Sequence, residues 1–118
     1  MRAKDGVGRY GEDVAARYLA EHGYHVLARN WRCSAGEIDI VARDGAVLVI
    51  CEVKTRSSVA FGLPSEAVTA RKQAKLRELA LHWLREHPAH GAAVRFDVAS
   101  VLRPPSGPAR ISLVRGAF

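Results

Sequence analysis

Two short acidic stretches in this 118-residue chain have a spacing that could do chemistry: Glu37-Ile38-Asp39 and, past a glycine-containing turn, Glu52-Val53-Lys54. Asp and Glu are poor strand formers, yet both stretches lie in segments patterned like β-strands. Glu37, Asp39 and Val41 alternate with Ile38, Ile40 and Ala42, and residues 46–54 are rich in Val and Ile. Asp44-Gly45 between them is a strong hairpin signal. With those two residues as the loop, Arg43 faces Ala46, Val41 faces Leu48, Asp39 faces Ile50 and Glu37 faces Glu52. Glu37, Asp39, Val41, Leu48, Ile50, Glu52 and Lys54 then share one face of the hairpin. Ile38, Ile40, Ala42, Val47, Val49, Cys51 and Val53 share the other, and a one-residue slip would mix the two sets.

In that register Asp39 and Glu52 are diagonal neighbours, with Cα atoms roughly 7–8 Å apart. Both side chains can then reach one ion between them. Three carboxylates at one sheet end (Glu37, Asp39, Glu52) repel each other, and a hard divalent cation relieves this. Mg²⁺ accepts a few carboxylate oxygens and keeps several waters. Such an ion lowers the pKa of a bound water and stabilises charge on a phosphate. Lys54, on the same face, is placed to hold the attacking water or to offset charge in the transition state. The competing reading is a set of solvated polar positions paired with lysines and arginines.

Those residues need elements to hold them. Residues 7–22 carry Val7, Gly11, Val14, Ala15, Tyr18 and Leu19 at helical spacing, and Gly23 is placed to end the helix. Residues 24–32 read as a strand, residues 36–43 as a second and residues 46–54 as a third. Residues 55–63 read as a polar loop. Pro64 suits the first turn of a helix that carries Val68, Leu76, Leu79, Ala80, Trp83 and Leu84 and stops before Pro88. Residues 95–102 read as a fourth strand, residues 103–108 as a loop that cannot stay in a sheet, and residues 111–114 as a candidate short last strand. The order of the core is αβββαβ. This predicts an α/β domain over residues 1–118, with an antiparallel meander, a crossover to the fourth strand and helices covering a mixed sheet.

Composition narrows the setting. The chain is 48% hydrophobic and 25% charged, as in an ordinary globular protein. Its longest apolar run, residues 46–51, is far too short to cross a bilayer. No apolar stretch follows Met1-Arg2-Ala3-Lys4-Asp5-Gly6, so no signal peptide is expected. Two cysteines, Cys33 and Cys51, do not make a disulfide scaffold, which points to a cytoplasmic protein with reduced thiols. The net charge of +6 favours an anionic partner, nucleic acid first.

The segments Gly36-Glu37-Ile38-Asp39 and Glu52-Val53-Lys54-Thr55-Arg56 together resemble the PD-(D/E)xK nuclease superfamily. More narrowly, the chain resembles the YraN family of small bacterial proteins. The likeness extends to Gly11-Glu12 in the first helix, Asn30-Trp31-Arg32, Phe61-Gly62, Pro64 and Arg95-Phe96-Asp97-Val98. It implies a restriction-endonuclease-like three-layer core similar to archaeal Holliday-junction resolvases, and an endonuclease acting on DNA, branched DNA included. By that resemblance Asp39, Glu52 and the backbone carbonyl of Val53 hold Mg²⁺ or Mn²⁺. Lys54 is the catalytic lysine, and Glu12 matches a helical acid that some resolvase-like members bring to the metal. Two departures stand out. Ile38 replaces the motif's proline, and Gln73 is followed four residues later by Arg77, so the Gln-x-x-x-Tyr motif of some exonuclease branches is absent.

Around this centre, Arg71, Lys72, Lys75 and Arg77 put four cations into seven residues of the second helix. Arg71 and Lys75 share a face, and Arg71, Lys72 and Lys75 are candidates for contacting phosphates. Arg56 is a candidate for contacting the DNA backbone. Glu37 is assigned an outer role at the metal, and Asp97 a structural one, paired with an arginine. Trp31 and Trp83 suit core packing better than base stacking, and the five histidines have no zinc-like spacing. Analogy with resolvases adds a homodimer. The alternative function is a nucleic-acid-binding module without catalysis.

Overall fold

The computed structural model describes residues 6–57, 68–90 and 93–118. The expected position of the Val7 side chain, the loop around Phe61-Gly62 and the helix start at Pro64 lie outside the described residues. The elements run α1 (Gly6–Glu21), β1 (His25–Cys33), β2 (Gly36–Asp44), β3 (Val47–Arg56), α2 (Ala70–Glu86), a short 3₁₀ turn (Pro88–His90), β4 (Ala93–Leu102) and β5 (Arg110–Val114). The strands form one mixed sheet in the order β1-β2-β3-β4-β5. β3 and β4 are parallel, joined through α2, and the other neighbours are antiparallel. Thus the expected meander and crossover are present, with β5 as an added edge strand.

α1 ends where expected. Gly23 takes φ 89°, and the Tyr24 N–H reaches back to the Leu19 carbonyl at 2.9 Å, satisfying one of the helix's last acceptors. Ala15 and Leu19 bury against Ile40, Ala42, Val49, Cys51, Ala99 and Val101 on one face of the sheet. Cys51 belongs to this core, and burial pushes its thiol far up. On the other face, Leu76, Leu79, Ala80 and Trp83 of α2 cover Val41, Leu48 and Ile50. Trp31 and Trp83 meet edge to face with ring centroids 5.6 Å apart, as core residues. Each face of the sheet therefore carries one helix.

Three expectations need correction. The hairpin loop is Gly45 and Ala46, not Asp44 and Gly45, because Asp44 pairs with Val47 and Val41 with Ile50. Gly45 takes φ 61°, the conformation a two-residue turn asks of its first residue, while Asp44 is held in the strand by Arg95 and Arg115. This moves the register by two residues, so the sharing of faces survives from Ile40 to the turn. Secondly, α2 begins at Ala70, not Pro64: Thr69 is extended (φ −69°, ψ 162°) and its Oγ1 accepts from the Lys72 N–H at 3.1 Å, capping the helix. Finally, Ile38 joins the α2-side cluster rather than the α1 side. It adjoins the one non-glycine residue of positive φ among those described, Asn30 at 51°, which falls between the Arg29–Ile40 and Trp31–Ile38 pairs and so opposite Asp39.

Asp97, fully buried on β4 where it pairs with Cys51, ties neighbouring segments to the sheet. It accepts from Tyr24 Oη at 3.0 Å, from Arg95 Nε at 2.9 Å and from the Gly116 N–H at 3.0 Å. Burial and the Asp97 bond push the Tyr24 hydroxyl up to about 12. The expected pairing of Asp97 with an arginine is therefore met by Arg95.

Gly11 is where α1 touches β3 most closely. A Cβ there would overlap the Thr55 side chain, one residue past Lys54. Gly11→Ala is expected to lower stability by about 1–3 kcal/mol, as overpacking does. Urea denaturation measures this, and an unchanged midpoint would mean that α1 docks with room to spare.

Candidate active site

Continued one step beyond its last ladder pair, Ile40 with Cys51, the hairpin register sets Asp39 across from Glu52. There the ladder gives way. The Val53 N–H donates to Asp39 Oδ2, at 2.9 Å. The two strands part at this point, and the Asp39 and Glu52 carboxylates come within hydrogen-bonding reach of each other. They are thus directly opposed rather than diagonal, and closer than the sequence register implied.

Glu52 keeps only 6% of its surface exposed. Burial, and then the charge of Asp39, push its carboxyl up to about 7. Two ammonium groups oppose that shift, Lys72 ahead of Lys54. Lys54 Nζ lies 3.6 Å from Glu52 Oε2 and Lys72 Nζ 3.7 Å from the same oxygen. Lys54 arrives from the same strand, two residues on. Lys72 arrives from the first turn of α2, set there by the Thr69 cap.

Asp39, Glu52 and Lys72 line a cavity of about 620 Å³ between the sheet and α2, with Lys54 behind Glu52 and outside its lining. Its other walls are the end of β1 (Arg32, Cys33), the Ser34-Ala35 turn, the start of β2 (Gly36, Glu37), and Val53, Lys75 and Leu79. Glu37 turns to Arg32, whose Nε donates to its Oε2 at 2.7 Å. This keeps the Glu37 carboxylate at the rim and fixes the Arg32 guanidinium there.

Other sequence-selected residues lie apart. Glu12 is fully buried and does not line the cavity. Its Oε1 accepts from Asn30 Nδ2 at 2.7 Å and from Arg29 Nε at 3.2 Å, so it holds the left-handed Asn30 that stands opposite Asp39. Arg56 continues the face of Glu52 and Lys54 along β3 but does not reach the cavity, and Arg71 is exposed on α2. The α2 pair that does reach it is Lys72 and Lys75, three residues apart. Arg77 is committed elsewhere, over the Phe96 and Phe118 rings. Sequence reasoning assigned no role to Arg32 or to the Cys33–Gly36 turn. The signal for them was their place one hairpin turn before Glu37.

Among the described residues no group of three or more His, Cys, Asp and Glu side chains is placed to hold a metal ion. The site's offer is the adjacent pair Asp39 and Glu52 with the Val53 backbone between them. The same residues fall within the span, 11–101, that matches the Uncharacterised protein family UPF0102. The chain belongs to the UPF0102 family. This is the family reached from the sequence under the name YraN. The UPF0102 protein of Frankia alni is 59% identical over 118 residues, covering 100% of this chain and 98% of its own. That of Frankia casuarinae is 58% identical, with 100% of both chains covered. That of Beutenbergia cavernae is 60% identical over 116 residues, covering 98% of each. No helix among the described residues of this UPF0102 chain is long and apolar enough to cross a membrane.

The raised Glu52 carboxyl has a consequence for stability. Between the ordinary glutamate value and about 7, the folded protein holds a proton that the unfolded chain has released. Stability contributed by this group therefore falls as pH rises through that interval. Glu52→Gln removes the slope. In metal-free buffer its melting temperature relative to wild type is expected to climb from about pH 5 to about pH 8. A difference that stays flat, or declines, would show that Glu52 is already ionised at the lower pH.

Proposed function

We propose that this protein is a Mg²⁺-dependent endonuclease of the PD-(D/E)xK superfamily, built on a restriction-endonuclease-like core and hydrolysing phosphodiester bonds in DNA. One observation carries the reading: the Asp39 and Glu52 carboxylates meet across β2 and β3 in a cavity whose remaining charged groups are mostly cationic. The mixed five-strand sheet with a helix on each face, and a parallel β3–β4 pair bridged by α2, supports the core assignment. Adjacent carboxylates, one of them held partly protonated by burial and by its neighbour's charge, fit a hard divalent cation. Mg²⁺ needs only one or two protein carboxylates beside its waters and the substrate's phosphate oxygens. Mn²⁺ suits the same oxygen donors.

Asp39, Glu52 and the Val53 carbonyl would hold the ion. When bound, it supplies a water of lowered pKa and positive charge at the phosphate. The chain's own residues do the rest. The Val53 N–H fixes the Asp39 carboxylate in place. Lys54, beside Glu52, orients the attacking water or neutralises the phosphate as charge develops on it. Arg32, Lys72 and Lys75 bind phosphates along the cavity walls, and Arg56 and Arg71 extend the basic track beyond it. Glu37 steadies Arg32, and Glu12 steadies β1 behind Asp39. The resemblance to resolvases adds branched DNA as the substrate form and a homodimer as the working unit.

The test is cleavage of linear, flapped and four-way DNA in Mg²⁺ or Mn²⁺. Wild type is expected to cut, and Asp39→Asn, Glu52→Gln and Lys54→Met each to lose about 10²-fold or more. Equal cleavage by wild type and Glu52→Gln would place the activity elsewhere. Salt-dependent binding with no turnover in any metal would establish the nucleic-acid-binding module in place of the enzyme.

A further inference from the structure

We propose that Lys72 is a displaceable counter-charge that couples metal binding to nucleic-acid binding: it neutralises Glu52 in the empty site and leaves for a substrate phosphate. This rests on the reading of Asp39 and Glu52 as metal-holding carboxylates.

The charges near Glu52 almost balance without any ion. Asp39 and Glu52 bring two carboxylates, and Lys54 and Lys72 bring two ammonium groups to ion-pair distance of one oxygen, Glu52 Oε2. A divalent cation entering this arrangement adds charge to a site already near neutrality, and it must share Glu52 with both lysines. Bringing like charges together in a buried place weakens binding more than it would in water. Metal alone should therefore bind weakly.

The two lysines are not equally free to move. Lys54 stands on β3, inside the sheet, with its side chain 28% exposed. Lys72 stands on α2, and its side chain, 39% exposed, reaches Glu52 from the helix side of the cavity. Its backbone is pinned by the Thr69 cap, so only the side chain needs to swing. The same wall carries Lys75, and Arg32 joins the cavity lining from the end of β1. A phosphate arriving between these cations gives the Lys72 ammonium a better-exposed anion at the same radius. Once Lys72 turns outward, Glu52 loses one of its two positive neighbours and the pair of carboxylates is left under-neutralised, which favours the ion. Linkage makes the effect reciprocal: whatever factor nucleic acid adds to metal affinity, metal adds to nucleic-acid affinity.

Calorimetric titration with Mn²⁺, alone and in the presence of a phosphorothioate DNA that resists cleavage, reads the coupling directly. Wild type is expected to bind Mn²⁺ about tenfold more tightly with the DNA than without it. Lys72→Ala is expected to bind Mn²⁺ alone about tenfold more tightly than wild type, and to gain little from the DNA. Lys75→Ala removes the same charge from the same wall but not from Glu52, since Lys75 pairs with Glu78. It is expected to move the affinity for Mn²⁺ alone by no more than about twofold. Unchanged Mn²⁺ affinity in Lys72→Ala, equal gains in Lys72→Ala and Lys75→Ala, or a wild type indifferent to DNA would each overturn the coupling and leave the metal site standing. A wild type that takes up no Mn²⁺ under either condition would overturn the metal site itself, and the coupling with it.

Discussion

Two carboxylates repel each other most where water is scarce, and this chain holds two of them together at the point where its central strands separate. Everything around Asp39 and Glu52 reads as a response to that repulsion. The Val53 N–H bonds one carboxylate. Two lysines flank the other. A proton is drawn to Glu52 by burial and by its neighbour's charge. A fold does not gain stability from such a pair. It has to be enforced by packing elsewhere, which is the mark of a site where binding, rather than folding, supplies the compensation.

The enforcement is visible on both sides of the sheet. α1 seats Gly11 directly on Thr55, so the strand that carries Glu52 and Lys54 has no freedom to lift. Glu12, buried in the same helix, holds Asn30 in a left-handed conformation opposite Asp39. α2 packs Leu76, Leu79 and Trp83 on the other face and so carries Lys72 and Lys75 to the cavity. On β4, paired with Cys51, Asp97 draws Tyr24, Arg95 and Gly116 together and so ties the start of β1 and the segment after β5 to the centre of the sheet. The acidic end is left as the place where the sheet opens.

Much of this was legible in the sequence because it depends on periodicity. Alternation placed Asp39, Glu52 and Lys54 on one face, and a two-residue error in the hairpin could not disturb that, since side chains repeat every two residues. The error itself came from Asp44, whose carboxylate is claimed by Arg95 and Arg115 from the far end of the chain. The Asp-Gly pair looks the same whether or not such partners exist. The start of α2 was misplaced for a similar reason: Pro64 is a local cue, whereas the working cap is Thr69, with its bond to the Lys72 N–H. That cap also decides which of the helix cations enters the site, so Lys72 looked no different from Arg71 until the helix was docked. Arg32 and the β1–β2 turn reach the cavity only because β1 pairs with β2, a contact with no signature of its own in composition or spacing.

The most direct test of the shared-cation site is a crystal of the protein soaked in Mn²⁺, with anomalous scattering used to locate the metal. The expected result is a single peak between the side chains of Asp39 and Glu52, bonded to both. A peak elsewhere, or none while Glu52 still sits between Lys54 and Lys72, would contradict it.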